Sequence, residues 1–516
     1  MSGATTTAST TTDAFAPAME KAAEMTRYLE SRPALAATHA ELERFVEKEG
    51  REFLCRMLQG HHTLRALAER PVRVEGSDRV PRTFLRPSSR PVVSIVGRVD
   101  VARIAYQGRG IEGLHPMDAA LNLPPELYSH EVRRRAAEHA ACASFEEVAA
   151  TLSRATGVAI GKRQVEELAA RAAQDFDDFY AARETVTEQT RDLLVLTFDG
   201  KGIPMRREGL RAATRKAADT TPRRLRTRLT KGEKRHRKRM AQVAAVYTIA
   251  PYVRTVQDVV ADLRPVRDVD KARARPRPVN KRVWASVEKE VEVVIRDAFE
   301  EARRRDPENR RTWVVLLDGN RDQIRLVKKT ARKLGVAITI IVDVIHVLEY
   351  LWKAAYAFHV EGSRDAELWV QQRLMWLLRG EHAKVRANLR RNAAARRLVG
   401  AALAPVTACL RYLKGVRHYL AYDNALAAGL PIATGVIEGA CRYLVKDRME
   451  KTGARWSLKG AEAGLRLRAL RASADFDAYW PLHIDREHAR NHRSRYVDGA
   501  PPSPIPGPKL MLRRVK

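Results

Sequence analysis

The 516-residue chain has room for about three domains and large buried cores, which excludes a small disulfide-stapled scaffold. With 45% hydrophobic and 30% charged residues it has a globular composition, and no apolar run approaches the ~18 residues of a membrane-spanning helix. Its 94 Lys and Arg residues exceed its 62 Asp and Glu residues by 32, so a polyanion is the expected partner and a membrane is not.

Residues 1–20 open with a segment rich in Ser, Thr and Ala. The segment lacks the basic stretch and the apolar stretch that a secretion signal contains. We therefore expect a disordered tail on a cytoplasmic protein. The four cysteines occur singly, without a CxxC pair, which favours small buried residues over zinc ligands or disulfides. They are Cys55, Cys142, Cys409 and Cys441.

Residues 21–130 predict a helical region that leads into a small β unit, because the stretch 92–105 alternates polar and apolar residues. Residues 131–190 then predict a helix-turn-helix DNA-binding domain. Ser144 and Glu147 form a capping box at the start of one helix, and Gly157 ends it. The first turn of the second helix carries the residues expected to contact DNA. These are Lys162, Arg163 and Gln164. An ordinary helical hairpin with solvated basic residues is the alternative.

Residues 191–343 predict the first part of an α/β core. Three apolar runs, 193–198, 313–317 and 337–342, have the pattern of buried strands, and each ends at an aspartate. The aspartates are Asp199, Asp318 and Asp343.

Between the first two runs, residues 241–250 and 252–256 predict a strand pair around Pro251. Val283, Val287, Val291, Val294 and Phe299 have helical spacing and predict the helix that follows. The expected order of strand, hairpin, helix, strand, helix and strand makes a mixed α/β sheet with acidic residues at strand ends.

The remainder of the chain predicts three segments. Residues 344–434 contain no strand pattern and predict an all-α insertion, whereas 435–485 predict a helix that returns to the sheet. Residues 486–516 predict a basic, Pro-rich tail.

Carboxylates at the ends of neighbouring strands are typical of enzymes that cleave phosphodiester bonds. Carboxylates that converge on two Mg²⁺ ions activate a water molecule and stabilise the leaving oxygen. Asp199 and Asp318 at strand ends, with Glu438 on a facing helix, form such a set if the fold brings them together. The alternative is that each Asp-Gly pair only marks a turn.

Several motifs resemble one known family. The residues are LTFDGKG at 196–202, LLDGN at 316–320, DVIHVLEYLW at 343–352, GVIEGACR at 435–442, KDRM at 446–449 and TGARWS at 452–457. In this order they closely resemble the motifs of bacterial ISKra-type insertion-sequence transposases, and the resemblance covers roughly residues 90–485.

The resemblance implies a DDE transposase whose RNase H-like core is interrupted by an α-helical insertion, distantly similar to Mutator-type enzymes. It makes Asp199, Asp318 and Glu438 the catalytic residues and the ligands of two Mg²⁺ ions, for which Mn²⁺ can substitute. Asp343 and His346 match the DxxH pair of such enzymes, and we expect them to steady the insertion against the core rather than bind metal. Asp343 is also the alternative second catalytic aspartate.

This sequence departs from the family at residues 104–116, where relatives often have cysteine pairs and this chain has none. We therefore expect no zinc.

Two basic regions near the carboxylates are candidates for phosphate contacts. Residues 201–240, predicted to be a loop, hold 16 Lys or Arg residues against three acids. A solvated loop without function is the alternative. Arg442 and Lys446 follow Glu438 at intervals of four, so a helix would present all three on one face, and pairing of the basic residues with Glu438 is the alternative. The candidate DNA contacts in the loop are Arg223, Arg224, Arg226 and Arg228.

The leading hypothesis is thus a nucleoid-associated DNA transposase that cuts the ends of an insertion sequence and joins the 3′ hydroxyl to target DNA. Its partners would be terminal inverted repeats, target DNA and further copies of the chain in a homo-oligomer. A non-catalytic, transposase-derived DNA-binding repressor and an RNase H-like structure-specific nuclease are the alternatives.

Overall fold

The computed structural model contains two compact units, one formed by Ala182–Asp475 and the other by the residues before and after that segment. The residues that the structure describes are 13–183, 187–220, 227, 233, 237–262 and 274–505.

The first unit combines helices with a small antiparallel sheet. The first helix begins at Ala16, inside the segment expected to be a disordered tail. The helices are α1 (Ala16–Leu29), α2 (Arg32–Leu35), α3 (His39–Ala68), α4 (Pro116–Ala120), α5 (His130–Ala140), α6 (Phe145–Thr156), α7 (Lys162–Ala172) and α8 (Phe176–Ala182). The strands are β1 (Phe84–Ser94), β2 (Gly97–Gly108) and β3 (Ile111–Leu114), in the order β1-β2-β3.

The predicted pair of helices after residue 140 is confirmed. Ser144 and Glu147 form the capping box of α6, and Gly157 ends the helix with a φ of 70°, a conformation that favours glycine. Helix α7 packs against α5 and α6, and its residues Val165 and Leu168 are both buried. The described residues thus contain a helical unit in which α7 exposes its first turn.

A buried ion network joins α5 to the helix that starts at Phe476. This helix, α21 (Phe476–Asn491), carries Glu487, whose carboxylate accepts a hydrogen bond from the fully buried Arg133. Burial alone would raise the pKa of Glu487, but the charge of Arg133 outweighs it and the pKa is lowered to about 2.

The second unit is built on a five-stranded mixed sheet with the order β6-β5-β4-β7-β8. Strands β4, β5 and β6 are antiparallel, whereas β4, β7 and β8 run parallel. The fold class is therefore α/β, as predicted. The strands are β4 (Leu193–Pro204), β5 (Lys238–Ile249), β6 (Val279–Ser286), β7 (Trp313–Leu317) and β8 (Ile338–Val342).

Two predicted elements between the first strands were wrong. Residues 252–256 do not form a strand, because β5 pairs with β4 on one side and β6 on the other. Val283 lies in β6 and Val287 in the turn after it, so the helix predicted from their spacing begins only at Val291. Burial of Val283, Trp284 and Ala285 together explains the error, because a fully buried strand does not alternate.

The described helices of the second unit connect the parallel strands and continue into the insertion. They are α9 (Ala212–Thr220), α10 (Val256–Asp262), α11 (Val291–Arg305), α12 (Arg321–Leu334), α13 (Val344–Ala355), α14 (Arg364–Leu378), α15 (His382–Ala395), α16 (Gly400–Gly415), α17 (Tyr422–Ala427), α18 (Gly435–Ala440), α19 (Asp447–Met449) and α20 (Leu458–Ala472). Residues 344–434 contain no strand, as predicted. Their apolar residues form one hydrophobic cluster with residues of β4, β7 and β8.

The predicted basic loop 201–240 is only in part a loop. Its first residues, up to Pro204, belong to β4, its last residues, from Lys238, belong to β5, and α9 lies between them. Among the described residues, no helix has both the length and the apolar character needed to cross a membrane.

Candidate carboxylate site

The three predicted strand-end aspartates lie along one edge of the parallel part of the sheet. Asp318 and Asp343 follow the last residues of β7 and β8, but the prediction that Asp199 ends its strand was wrong, because β4 continues past it to Pro204 in its pairing with β5. Thr197 pairs with Leu316 in the parallel ladder of β4 and β7, two residues before Asp199 and Asp318. In the same way Leu317 pairs with Val342, one residue before Asp318 and Asp343. Neighbouring strands are about 4.8 Å apart, so the aspartates of β4, β7 and β8 follow one another along this edge.

Asp318 is held by its own turn and by the insertion. Its Oδ1 accepts a hydrogen bond from the backbone N–H of Asn320 (2.8 Å), and its carbonyl oxygen accepts one from the Tyr412 hydroxyl (2.8 Å). Gly319 has a φ of 91°, and a Cβ there would lie 3.0 Å from the Tyr412 ring. Burial, and then the charge of Asp318, raise the pKa of Tyr412, which keeps its hydroxyl a donor.

Asp199 makes a contact that the sequence did not predict. The Sγ of Cys441 lies 3.1 Å from Oδ2 of Asp199, and the N–H of Gly200 donates to Oδ1 at 2.6 Å. Burial, and then the charge of Asp199, raise the pKa of the Cys441 thiol, so it stays protonated and donates a weak hydrogen bond.

Glu438 lies on α18, which packs against β4 and β5. Partial burial raises the pKa of Glu438, and the negative charges of Asp343 and Asp199 raise it further. The carboxyl group of Glu438 therefore interacts electrostatically with the carboxylates of Asp199 and Asp343. A π-helical turn follows at Cys441–Lys446, an uncommon conformation that often occurs at functional sites.

The segment after this turn ties the Glu438 helix to β4. Trp456 pairs with the end of β4, its N–H donating to the Pro204 carbonyl (3.1 Å) and its carbonyl accepting from the Arg206 N–H (2.8 Å). Its Nε1 donates to the Met449 carbonyl (3.1 Å), and the Arg448 guanidinium lies 4.6 Å above its ring. Trp456 of the TGARWS motif therefore has a structural function in this chain.

Asp343 ends β8 and caps the first helix of the insertion. Its side chain is buried, accepts a hydrogen bond from the N–H of Ile345 (2.9 Å) and accepts another from the hydroxyl of Thr434. Burial raises its pKa, which these bonds and the charge of His346 oppose. Because Thr434 precedes α18, Asp343 joins the beginning of the insertion to its end.

Carboxylate oxygens are hard ligands of the kind that Mg²⁺ prefers, so Asp199, Asp318 and Glu438 fit such an ion in donor type. In the described part of the chain, however, no three His, Cys, Asp or Glu side chains converge closely enough to hold a metal ion.

The predicted DNA contacts have different outcomes. Arg223, Arg224, Arg226 and Arg228 lie outside the described residues.

The other candidates are all exposed at the surface: Lys162, Arg163, Gln164, Arg442 and Lys446. Within the described chain the ion pair of Arg442 is with Asp447 (3.9 Å), so the expected alternative of pairing with Glu438 is not observed.

Sequence reasoning missed three residues that support the site: Tyr412, Thr434 and Cys441. Only Cys441 had a signal, because it follows Glu438 by three residues and so falls near it on a helix. The two hydroxyl residues lie in the insertion, far from the aspartates in sequence, and no local pattern marks them.

Comparison with known proteins assigns no family, because neither a protein-family model nor a curated protein matches this chain.

Proposed function

We propose that this protein is a DNA transposase of the DDE type, which cuts the ends of an insertion sequence and joins the freed 3′ hydroxyl to target DNA. The observation that carries the proposal is the register of β4, β7 and β8, which aligns Asp199 and Asp318 at one sheet edge. The charge coupling of Glu438 to Asp199 adds the third carboxylate predicted by the motifs.

The topology supports an RNase H-like core within this proposal. Three antiparallel strands in sequence, then two parallel strands each reached through a helix, give the order β6-β5-β4-β7-β8. In this order the first strand, β4, is central, and Asp199 within it lies next to the end of β7 that precedes Asp318. The all-α segment 344–434 enters after β8 and returns to α18, as the resemblance implies.

In the proposed mechanism Asp199, Asp318 and Glu438 would hold two Mg²⁺ ions. When bound, the ions supply an activated water and stabilise the leaving oxygen. The protein itself would orient the carboxylates. Cys441 donates to Asp199, and Tyr412 fixes the turn that carries Asp318.

The exposed first turn of α7 supports a DNA-reading role for the first unit. The Arg163 side chain is 90% exposed and the Lys162 side chain 65% exposed, whereas Val165, which packs inwards, is fully buried. A helix with this arrangement can enter a major groove without loss of its own packing.

The test is incubation of the full chain with labelled DNA from the flanks of its own gene, with Mg²⁺ or with EDTA. We expect metal-dependent 3′-hydroxyl ends that the Asp318→Asn variant does not produce. Asp322→Asn is the matched control, because Asp322 lies four residues away with an 84% exposed side chain and should retain cleavage.

The same assay separates the other functions. Specific binding by folded protein without cleavage would overturn the proposal in favour of a repressor. Cleavage without joining to a target plasmid would instead indicate a structure-specific nuclease.

A further inference from the structure

One strongly charged surface of the second unit has no place in the site described above. Helix α12 carries six basic residues and one acid, Asp322. The basic residues recur at positions i, i+4, i+7, i+8, i+11 and i+12, which all lie on one face of an α-helix. All six are exposed, and we call them the α12 basic face: Arg321, Arg325, Lys328, Lys329, Arg332 and Lys333.

The opposite face of α12 is firmly packed. Its buried residues include Ile324, Leu326, Val327 and Ala331. Because the apolar residues of the helix are buried except for the partly exposed Leu334 at its end, its surface offers cations and almost no apolar side chains for insertion into a lipid bilayer. This composition favours a nucleic acid over a membrane as the partner.

Neighbouring acids leave most of this charge uncompensated. Lys329 pairs with Glu292 of α11 (2.8 Å), and Arg325 lies 3.7 Å from Asp322. All four side chains are more than half exposed, so these pairs are weak and screened by salt. Six basic residues against two acids leave a surplus of four charges on a helix about 20 Å long.

The position of the α12 basic face links it to the carboxylates. Helix α12 begins three residues after Asp318, and Arg321 lies beside Gly415 at the end of α16. At the other side the Lys328 ammonium lies 5.1 Å from the ring centre of Tyr419. The insertion adds three exposed basic residues around this end of α16, and they extend the positive surface: Arg411, Lys414 and Arg417.

We propose that the α12 basic face binds the phosphate backbone of the duplex DNA that flanks the carboxylate site. Basic residues one helical turn apart, along about 20 Å, can follow the phosphates of roughly six base pairs. Such contacts position a duplex without reading its sequence. The inference rests on the proposed function and names a DNA surface separate from α7 and from residues 201–240.

The test measures how the affinity for DNA depends on salt, in the full chain carrying Asp318→Asn so that DNA is not cut. The probe is a labelled 30-base-pair duplex, titrated at NaCl concentrations between 50 and 300 mM. The variant combines Arg325→Gln, Lys328→Gln and Arg332→Gln, because glutamine keeps the helix propensity and removes the charge. Loss of three phosphate contacts should weaken binding and lower the slope of log Kd against log salt by about 2.7.

The matched control removes three exposed cations from α11 and the turn after it: Arg296→Gln, Arg303→Gln and Arg310→Gln. Two of these residues lie near acids, Arg296 beside Asp297 and Glu300, and Arg310 beside Glu308. We expect the control to keep the slope of the parent protein. An equal loss of slope in both variants would show only a general effect of net charge and would overturn the proposal.

Two further outcomes count against it. If the α12 variant keeps the parent slope while the protein with Asp318 intact still cuts DNA, this inference fails and the proposed function stands. If the parent protein binds anionic phosphatidylglycerol vesicles but not duplex DNA, both fail.

Discussion

Asp343 is either a structural residue that holds the insertion to the core or the second catalytic aspartate, and substitutions of Asp343 distinguish these two possibilities. Replacement by alanine removes the cap of α13 and leaves the buried hydroxyl of Thr434 without its acceptor. A lost cap costs about 1 kcal/mol and a buried polar group without a partner about 1–3 kcal/mol, so Asp343→Ala should lower the free energy of unfolding by about 2–4 kcal/mol. Asp343→Asn should cost less than about 1 kcal/mol, because Oδ1 can still cap the helix and Nδ2 can donate to Thr434.

Burial gives the same residue a dependence on pH. The pKa of Asp343 is raised in the folded protein, so the folded state binds the proton more tightly than the unfolded chain. Its contribution to stability is therefore present below the ordinary pKa of about 4 and is lost as the pH rises through the folded pKa. Asp343→Asn should remove this component.

The assay pairs urea unfolding, followed by circular dichroism, with the cleavage reaction. If Asp343 is structural, Asp343→Asn keeps cleavage within about tenfold of the parent, equal to about 1.4 kcal/mol of activation free energy. Ser363→Ala is the control for a simple lost cap, because Ser363 caps α14 and accepts from Ala366 (3.2 Å). A stable Asp343→Asn protein that loses cleavage as completely as Asp318→Asn would refute the structural account and make Asp343 a catalytic residue.

Three further substitutions test contacts described above. Cys441→Ala should slow cleavage about two- to tenfold and raise the Mg²⁺ concentration required, because Asp199 loses a donor, whereas Cys441→Ser should restore both in a metal titration. Glu487→Gln should lower the free energy of unfolding by about 3 kcal/mol at pH 7, because it removes one of the two carboxylates that pair with the buried Arg133 and leaves only Glu126. In the parent this stabilisation should fade as the pH drops from about 4 towards 2, and an unchanged acid unfolding curve would contradict it. Trp456→Phe should cost about 1–3 kcal/mol by chemical denaturation, since it keeps a ring for Arg448 but leaves a buried carbonyl without its donor.

The parts of the core that could be predicted are those with a local signal. A continuous apolar run identifies a buried strand, and β7 has the predicted bounds of Trp313–Leu317, whereas β4 continues past the acid that follows its apolar run to Pro204. The capping box of α6 is likewise a signal within four residues. Both cases required no knowledge of the partner elements.

The predictions that failed concern strand pairing and contacts between residues that are far apart in the sequence. Residues 252–256 have apolar character, but β5 obtains both of its neighbours elsewhere, one of them after residue 278. The contact of Cys441 with Asp199 joins residues 242 apart. No spacing rule extends over such a distance, so the function of Cys441 required the fold.

The insertion was predicted as a separate all-α segment, yet its hydroxyl groups complete the polar edge of the sheet. Tyr412 donates to the carbonyl of Asp318, Tyr422 to the carbonyl of Val342 (2.8 Å), and Thr434 to the side chain of Asp343. A strand that ends inside a protein leaves carbonyl groups that need a donor, and a carboxylate at the same edge needs one as well. In the second unit those donors come from residues 344–434, whose apolar side chains also share one core with the sheet. The insertion is therefore part of the carboxylate site in both packing and hydrogen bonding. A substitution within the insertion should displace Asp318 and Asp343, which it contacts directly, more than Asp199.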